Sequence, residues 1–193
     1  MREFKVKIKG IAPILFNRMT EKAKDILRGG TKKAGKTVDS DLLKDAEGKI
    51  WKNDHGLYIP KEWIKGALKG NAFQRGAAQI FGSDIQSKKG SMYRSFVTSC
   101  VFIVPDEIPL NKKTHDGMDE RVITTKSGGS QLSLRPFVKD WEVSFVMQVA
   151  DDTYDEGVIR ALLEVAGMRV GLGSGRPDFG RFIVEEFELK KSF

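Results

Sequence analysis

The chain has 193 residues, 40% hydrophobic and 31% charged, a size that suits one globular domain or one domain with an insertion. One cysteine and two histidines exclude a disulfide framework and the usual Cys/His zinc sets, and no apolar run approaches the roughly 18 to 20 residues that span a bilayer. The net charge of +7 argues for a polyanionic partner and carries no information about fold.

That surplus is local. Residues 1–36 carry eleven bases, Arg18 among them, against three acids, so this segment stands at +8 and the remaining 157 residues sum to about −1. The segment reads either as a polyanion-binding face or as a solvated basic surface. Its start, Met1–Lys9, alternates basic and apolar residues and does not lead into a signal-peptide core, so a soluble, reducing, cytoplasmic setting is expected.

Residues 3–11 predict a strand with Phe4, Val6 and Ile8 on a core and Lys5, Lys7 and Lys9 on the other face, an arrangement that calls for something anionic there. Residues 20–27 predict a short helix stopped by Gly29 and Gly30. Residues 39–57 predict a helical turn and a small hairpin ending at Asp54-His55-Gly56. Pro60 suits the first position of a helix running to Arg75, with Trp63, Ile64, Ala67, Leu68 and Ala72 as its apolar stripe and Lys61, Lys65 and Lys69 as a separate stripe at spacing four. Gly66, inside that helix, costs about 1 kcal/mol relative to alanine and is expected to serve close packing or close backbone approach.

Residues 76–90 read as a polar connection and 96–104 as an apolar strand that buries Cys100. A polar excursion follows, with a hairpin in which 121–125 and 131–135 flank Ser127-Gly128-Gly129. Residues 141–149 alternate as a half-buried strand. Thr153-Tyr154-Asp155-Glu156 has capping-box form before a helix over 154–169, and residues 181–189 form a closing strand with a bulge at Glu185-Glu186. The order strand, helix, strand, insertion, strand, helix, strand is that of an α+β ferredoxin-like or RRM-like fold: a split βαβ with a four-stranded antiparallel sheet and two helices. It leaves two insertions, residues 12–57 and 107–136, within a single domain, and insertions of this size are often functional.

Catalytic constellations are sparse. Asp39 and Asp41 suit a turn or helix cap, and alternatively a divalent metal or RNA cleavage. The segment Gly171-Leu-Gly-Ser-Gly-Arg-Pro-Asp-Phe-Gly180 follows a helix and precedes a strand, the reverse of a dinucleotide fingerprint. It reads better as a loop in which Gly173 and Gly175 bring backbone N–H groups to a polyanion while Arg176 and Arg181 supply charge. Tyr93-Arg94-Ser-Phe96 and Arg135-Pro-Phe137 pair aromatic with basic residues, as base stacking and phosphate binding require. Arg121, at the start of the hairpin, joins the same set.

Tyr58-Ile-Pro-Lys-Glu-Trp-Ile-Lys-Gly-Ala-Leu-Lys69 resembles the "IPGSSLKGALR" helix start of CRISPR-associated RAMP proteins, and 171–182 resembles their C-terminal glycine-rich loop. The layout is also similar to the backbone subunits of that superfamily, whose RRM-like palm carries a thumb hairpin between its second and third strands. The resemblance implies an RNA-binding protomer that oligomerises along a guide RNA, with target nucleic acid, copies of itself and other effector subunits as partners and no membrane. Lys65, Lys69, Gly173, Gly175, Arg176 and Arg181 would then hold RNA backbone. Two departures stand out: Lys61-Glu62-Trp63 replaces Gly-Ser-Ser, and Pro13–Arg18 lacks the glycine-rich turn of type III members. Asp39 and Asp41 are therefore only the nearest equivalents of the aspartate those members place in the next loop, and Mg2+ is expected only if the chain is nucleolytic. A phage-type single-stranded DNA-binding protein on the same palm is the other reading.

Overall fold

The computed structural model describes residues 1–29, 39–85, 90–124 and 128–192, a mixed α/β arrangement built on antiparallel sheets. In chain order its elements are β1 (Arg2–Gly10), β2 (Ile14–Leu15), α1 (Glu21–Leu27), α2 (Asp39–Glu47), β3 (Lys52–Asn53), β4 (Gly56–Pro60), α3 (Lys61–Lys69), α4 (Ala77–Ile85), α5 (Gly90–Cys100), β5 (Val101–Val104), β6 (Glu107–Pro109), β7 (Gly117–Thr124), β8 (Ser130–Val138), β9 (Glu142–Val149), α6 (Glu156–Val165) with a π turn (Ala166–Val170), and β10 (Phe182–Ser192). Among the described residues no helix is long and apolar enough to cross a membrane.

The largest sheet has the order β10-β1-β9-β5, every neighbour antiparallel, so the first strand lies between the last strand and the third. Strict alternation puts Phe4, Val6 and Ile8 of β1 and Val143, Phe145, Met147 and Val149 of β9 on one buried face. Against it pack Ile64, Ala67 and Leu68 of α3, Phe96 and Val97 of α5, and Ile159, Leu162 and Leu163 of α6, all in one continuous core. The bulge expected in β10 is present: Lys7 pairs with Glu186 and Ile8 with Val184, leaving Glu185 as the extra residue. The short helix α1 starts where expected, at Thr20, whose hydroxyl accepts from the Ala23 N–H.

The first crossover departs from expectation. The helix beginning after Pro60 stops at Lys69 and not at Arg75, because Gly70 turns the chain at φ +72°, and Ala72, expected in the apolar stripe, is exposed beyond it. Residues 76–90, expected as a connection, contain α4. Residues 96–100, expected as strand, are the end of α5, and only 101–104 are extended. The cause is a stretch without glycine or proline between Gly90 and Pro105: Tyr93, Phe96 and Val97 are buried at helical spacing, then Val101 and Ile103 at strand spacing, so the period changes at Cys100. Cys100 is therefore half-buried at a helix end, its Sγ 3.8 Å from Asp151 Oδ2, and not in a strand. More than the two expected helices cover the sheet.

Two local expectations also change. A Cβ on Gly66 would meet nothing within 4 Å, so this glycine serves no close contact among the described residues. The cap of α6 is Asp155, whose carboxylate accepts from the Val158 N–H at 2.8 Å, and not Thr153. The N–H and hydroxyl of Thr153 both donate to Asp151 instead.

The hairpin is longer than expected. Strands β7 and β8 pair from Gly117↔Phe137 to Thr124↔Ser130, and β2 adds to β8 through Ile14↔Val138 and Leu15↔Phe137. A third small sheet, β3-β4-β6, follows from the hairpin expected at Asp54-His55-Gly56.

Candidate nucleic-acid interface

Two groups of basic side chains were singled out in the sequence, and they meet different fates. The lysines of β1 face acids brought by neighbouring strands: Lys5 lies 3.1 Å from Glu186, Lys7 lies 3.2 Å from Glu142 and 3.1 Å from Glu185, and Lys9 lies 3.8 Å from Glu185. Hydrogen bonds to Glu185 and Glu142 raise the Lys7 pKa. The anionic complement that these lysines call for is thus supplied by β9 and β10. Glu185 and Glu186 were marked in the sequence only as a bulge, and neither they nor Glu142 was matched to these lysines.

The lysines of α3 are also engaged. Lys61 Nζ lies 2.7 Å from Asp106 Oδ1. Lys65 turns inward, donating to the carbonyls of Val97, Thr98 and Val101 where α5 becomes β5, and its Nζ lies 5.4 Å from the centre of the Phe102 ring. Burial, with the like charge of Lys69 second, lowers its pKa to about 8. Lys69 is half-buried in the last turn of α3, and Arg94 is exposed on α5. Arg18 stacks on Trp51, its guanidinium 4.7 Å from the ring centre.

The remaining residues converge on the junction between the hairpin and the glycine-rich loop. Ser174 forms a bridge with Leu15 of β2, its N–H donating to the Leu15 carbonyl at 2.9 Å, and the Gly180 N–H donates to Pro13 at 2.8 Å. Since β2 is also paired with β8, the loop is fastened to the sheet that carries the hairpin. Gly173 shows why glycine is needed there: its φ is +74°, and a Cβ would lie 2.5 Å from the Leu15 carbonyl oxygen. The close approach that the glycines permit is therefore to the chain's own backbone first.

Arg121 of β7 closes the junction, its guanidinium 4.7 Å from the centre of the Phe179 ring and its Nε 2.8 Å from Asp119. Neither Phe179 nor Asp119 was singled out in the sequence. Asp119 pairs across the hairpin with Arg135, so Asp119, Arg121 and Arg135 share one face. Burial lowers the pKa of Arg176, and the Nε atoms of Arg135 and Arg181 are buried without a hydrogen-bond partner among the described residues. Half-buried guanidinium groups with spare donors favour an anion whose oxygens accept from them.

Asp39 and Asp41 fall in the first turn of α2, and their side chains lie outside the described residues. No group of three or more His, Cys, Asp or Glu side chains able to hold a metal ion occurs among the described residues.

No family model and no curated protein matches the sequence. A solved chain from the cryo-electron microscopy structure of the Type III-B Cmr-beta bound to cognate target RNA is similar in fold, with a TM-score of 0.56 at 11% identity over 97% of this chain. The match covers 60% of that chain's length. At this identity the likeness is one of fold.

Proposed function

We propose that the chain is an RNA-binding subunit of a cytoplasmic CRISPR effector ribonucleoprotein. The sheet β10-β1-β9-β5 is then the ferredoxin-like palm of a single RRM-like domain, residues 12–57 and 107–136 are its insertions, and β7–β8 is the thumb hairpin. As a backbone protomer it oligomerises along guide RNA, presents it to complementary target and contacts other effector subunits. Fold similarity to a chain from an RNA-bound complex supports the reading, and one observation carries it: the fastening of hairpin to glycine-rich loop, with Arg121, Arg135, Arg176 and Arg181 around it. The role is to bind, so neither cofactor nor metal is required unless Asp39 or Asp41 is nucleolytic.

Filter binding to single-stranded RNA across a salt series tests this. Wild type binds at low salt, and Arg121→Ala and Arg176→Ala each weaken binding and flatten the logarithmic salt slope by roughly 0.7 per lost phosphate contact. Lys5→Ala, which removes a lysine already facing Glu186, leaves the slope unchanged. Absence of RNA binding at low salt sinks the proposal, and equal competition by single-stranded DNA assigns the chain to the phage-type reading.

A further inference from the structure

Phe73 is fully exposed on the turn between α3 and α4. The turn is closed around it: Asn71 Oδ1 accepts from the N–H groups of Phe73 and Gln74, both at 2.8 Å, and Gly70 bridges to Arg75. Arg75 is in turn held by the Gln79 carbonyl and by Ser83. A well-bonded turn therefore presents a bare ring to solvent, where it forgoes the burial energy of a contact.

Two observations say what kind of contact suits it. The first is isolation. Asn71, Ala72 and Arg75 are exposed beside the ring, and among the described residues of α3, the turn and α4 no other large apolar side chain is exposed. Trp63, Ile80 and Phe81 pack against the core instead. A specific protein contact buries about 800 Å² on each partner around an apolar centre, which a lone ring among polar neighbours does not offer. A nucleobase needs only the face of one ring.

The second observation is charge. Residues 63–83 contain Lys65, Lys69 and Arg75 and no acid. Lys65 turns inward to carbonyls, whereas Lys69 and Arg75 stand on either side of the turn and form no salt bridge among the described residues. The turn also joins two helices that pack on the π turn Ala166–Val170, and the glycine-rich loop opens at Gly171 directly after it.

We propose that Phe73 is a stacking platform for one base of a single-stranded nucleic acid, with Lys69 and Arg75 taking the phosphates that flank it. The inference rests on the RNA reading and extends the interface from the hairpin and the loop to the helical layer. The ring reads no sequence, because every base has a π face.

A short single-stranded RNA and an abasic ribose-phosphate strand of the same length separate base from backbone. Phe73→Ala weakens RNA binding roughly 5- to 150-fold at fixed salt, the range of one base–aromatic stack, and leaves both the salt slope and the affinity for the abasic strand unchanged. Phe73→Trp retains wild-type affinity. Lys69→Gln weakens binding of both strands and flattens the slope. Wild-type RNA affinity of Phe73→Ala overturns the inference while the RNA reading stands, and a loss of self-association in that variant then assigns the ring to a protein contact. An equal loss on both strands overturns it too, because the ring would then only support phosphate contacts. A wild type that binds no RNA at low salt removes both readings.

Discussion

The Lys65 ammonium sits among the carbonyls of Val97, Thr98 and Val101, the unpaired acceptors that remain where a helix ends. The resemblance to RAMP proteins implied a role for Lys65 in holding RNA backbone; in the packing of α3 on α5 its partners are carbonyls at the end of a helix. Its pKa of about 8 has a thermodynamic consequence. The unfolded chain holds this proton to about pH 10.4, whereas the folded chain releases it earlier, so this group's contribution to stability rises as pH increases between the two values. Lys65→Met, similar in length and uncharged, removes the increment. Thermal melts should show the wild-type Tm gaining on that of the variant from about pH 8 to about pH 10; a difference that does not change with pH would show that the carbonyls' preference for the ammonium outweighs burial.

At the scale of elements, the glycine-rich loop is rigid where it meets other chain segments. Gly171 donates to Ala166 and Leu172 to Gly180, while Ser174 is bound to β2. Gly180 has φ +70°, and a Cβ there would collide with the Leu172 carbonyl oxygen. Gly180→Ala must therefore shift backbone in both the loop and the start of β10, at a cost of about 2 kcal/mol or more. Gly128→Ala, on the hairpin turn where nothing among the described residues lies within 4 Å but φ is +83°, costs only the local conformational strain, about 1 kcal/mol. Urea denaturation of the two variants measures the difference, and equal losses would mean that the Leu172 contact relaxes freely. The same rigidity lets Phe179 present a fixed ring to Arg121, which joins loop to hairpin across two sheets.

In the whole molecule, Trp141 marks the place where three parts of the chain meet. Its ring is buried against Gly10 at the end of β1 and lies edge to face with Phe182 at the start of β10, and its Nε1 donates to the Ala12 carbonyl at 2.9 Å. Trp141→Ala leaves a cavity and an unpaired carbonyl together, a loss of about 3 to 5 kcal/mol in the urea midpoint analysis. Loss of under 1 kcal/mol would show that the junction collapses around the gap. Charge is likewise arranged at this scale. Most of the basic excess of residues 1–29 meets acids brought near by the fold, locally for Lys24 and Arg28 and from distant strands for Lys5, Lys7 and Lys9. The hairpin and the loop add two guanidinium Nε atoms, of Arg135 and Arg181, that are buried without a hydrogen-bond partner among the described residues.

The strands β1, β9 and β10, the helix α6 and the hairpin were legible in the sequence because each is short, bounded by polar or glycine residues, and written in a single period. A break in alternation also marked the bulge at Glu185-Glu186, where the extra residue is Glu185. The boundary at Cys100 was illegible because helix and strand follow one another there with no glycine or proline between them, whereas α4 left a signal in Ala77, Ala78, Ile80 and Phe81, an apolar cluster inside the stretch expected as a polar connection. The candidate site divided in the same way. Glycine spacing marked the loop, since a left-handed backbone position leaves its trace in residue type. Which bases are spent on internal partners was decided only by tertiary structure. A charge's partner is set by distance in space, and in an antiparallel sheet that distance joins residues 5 and 186.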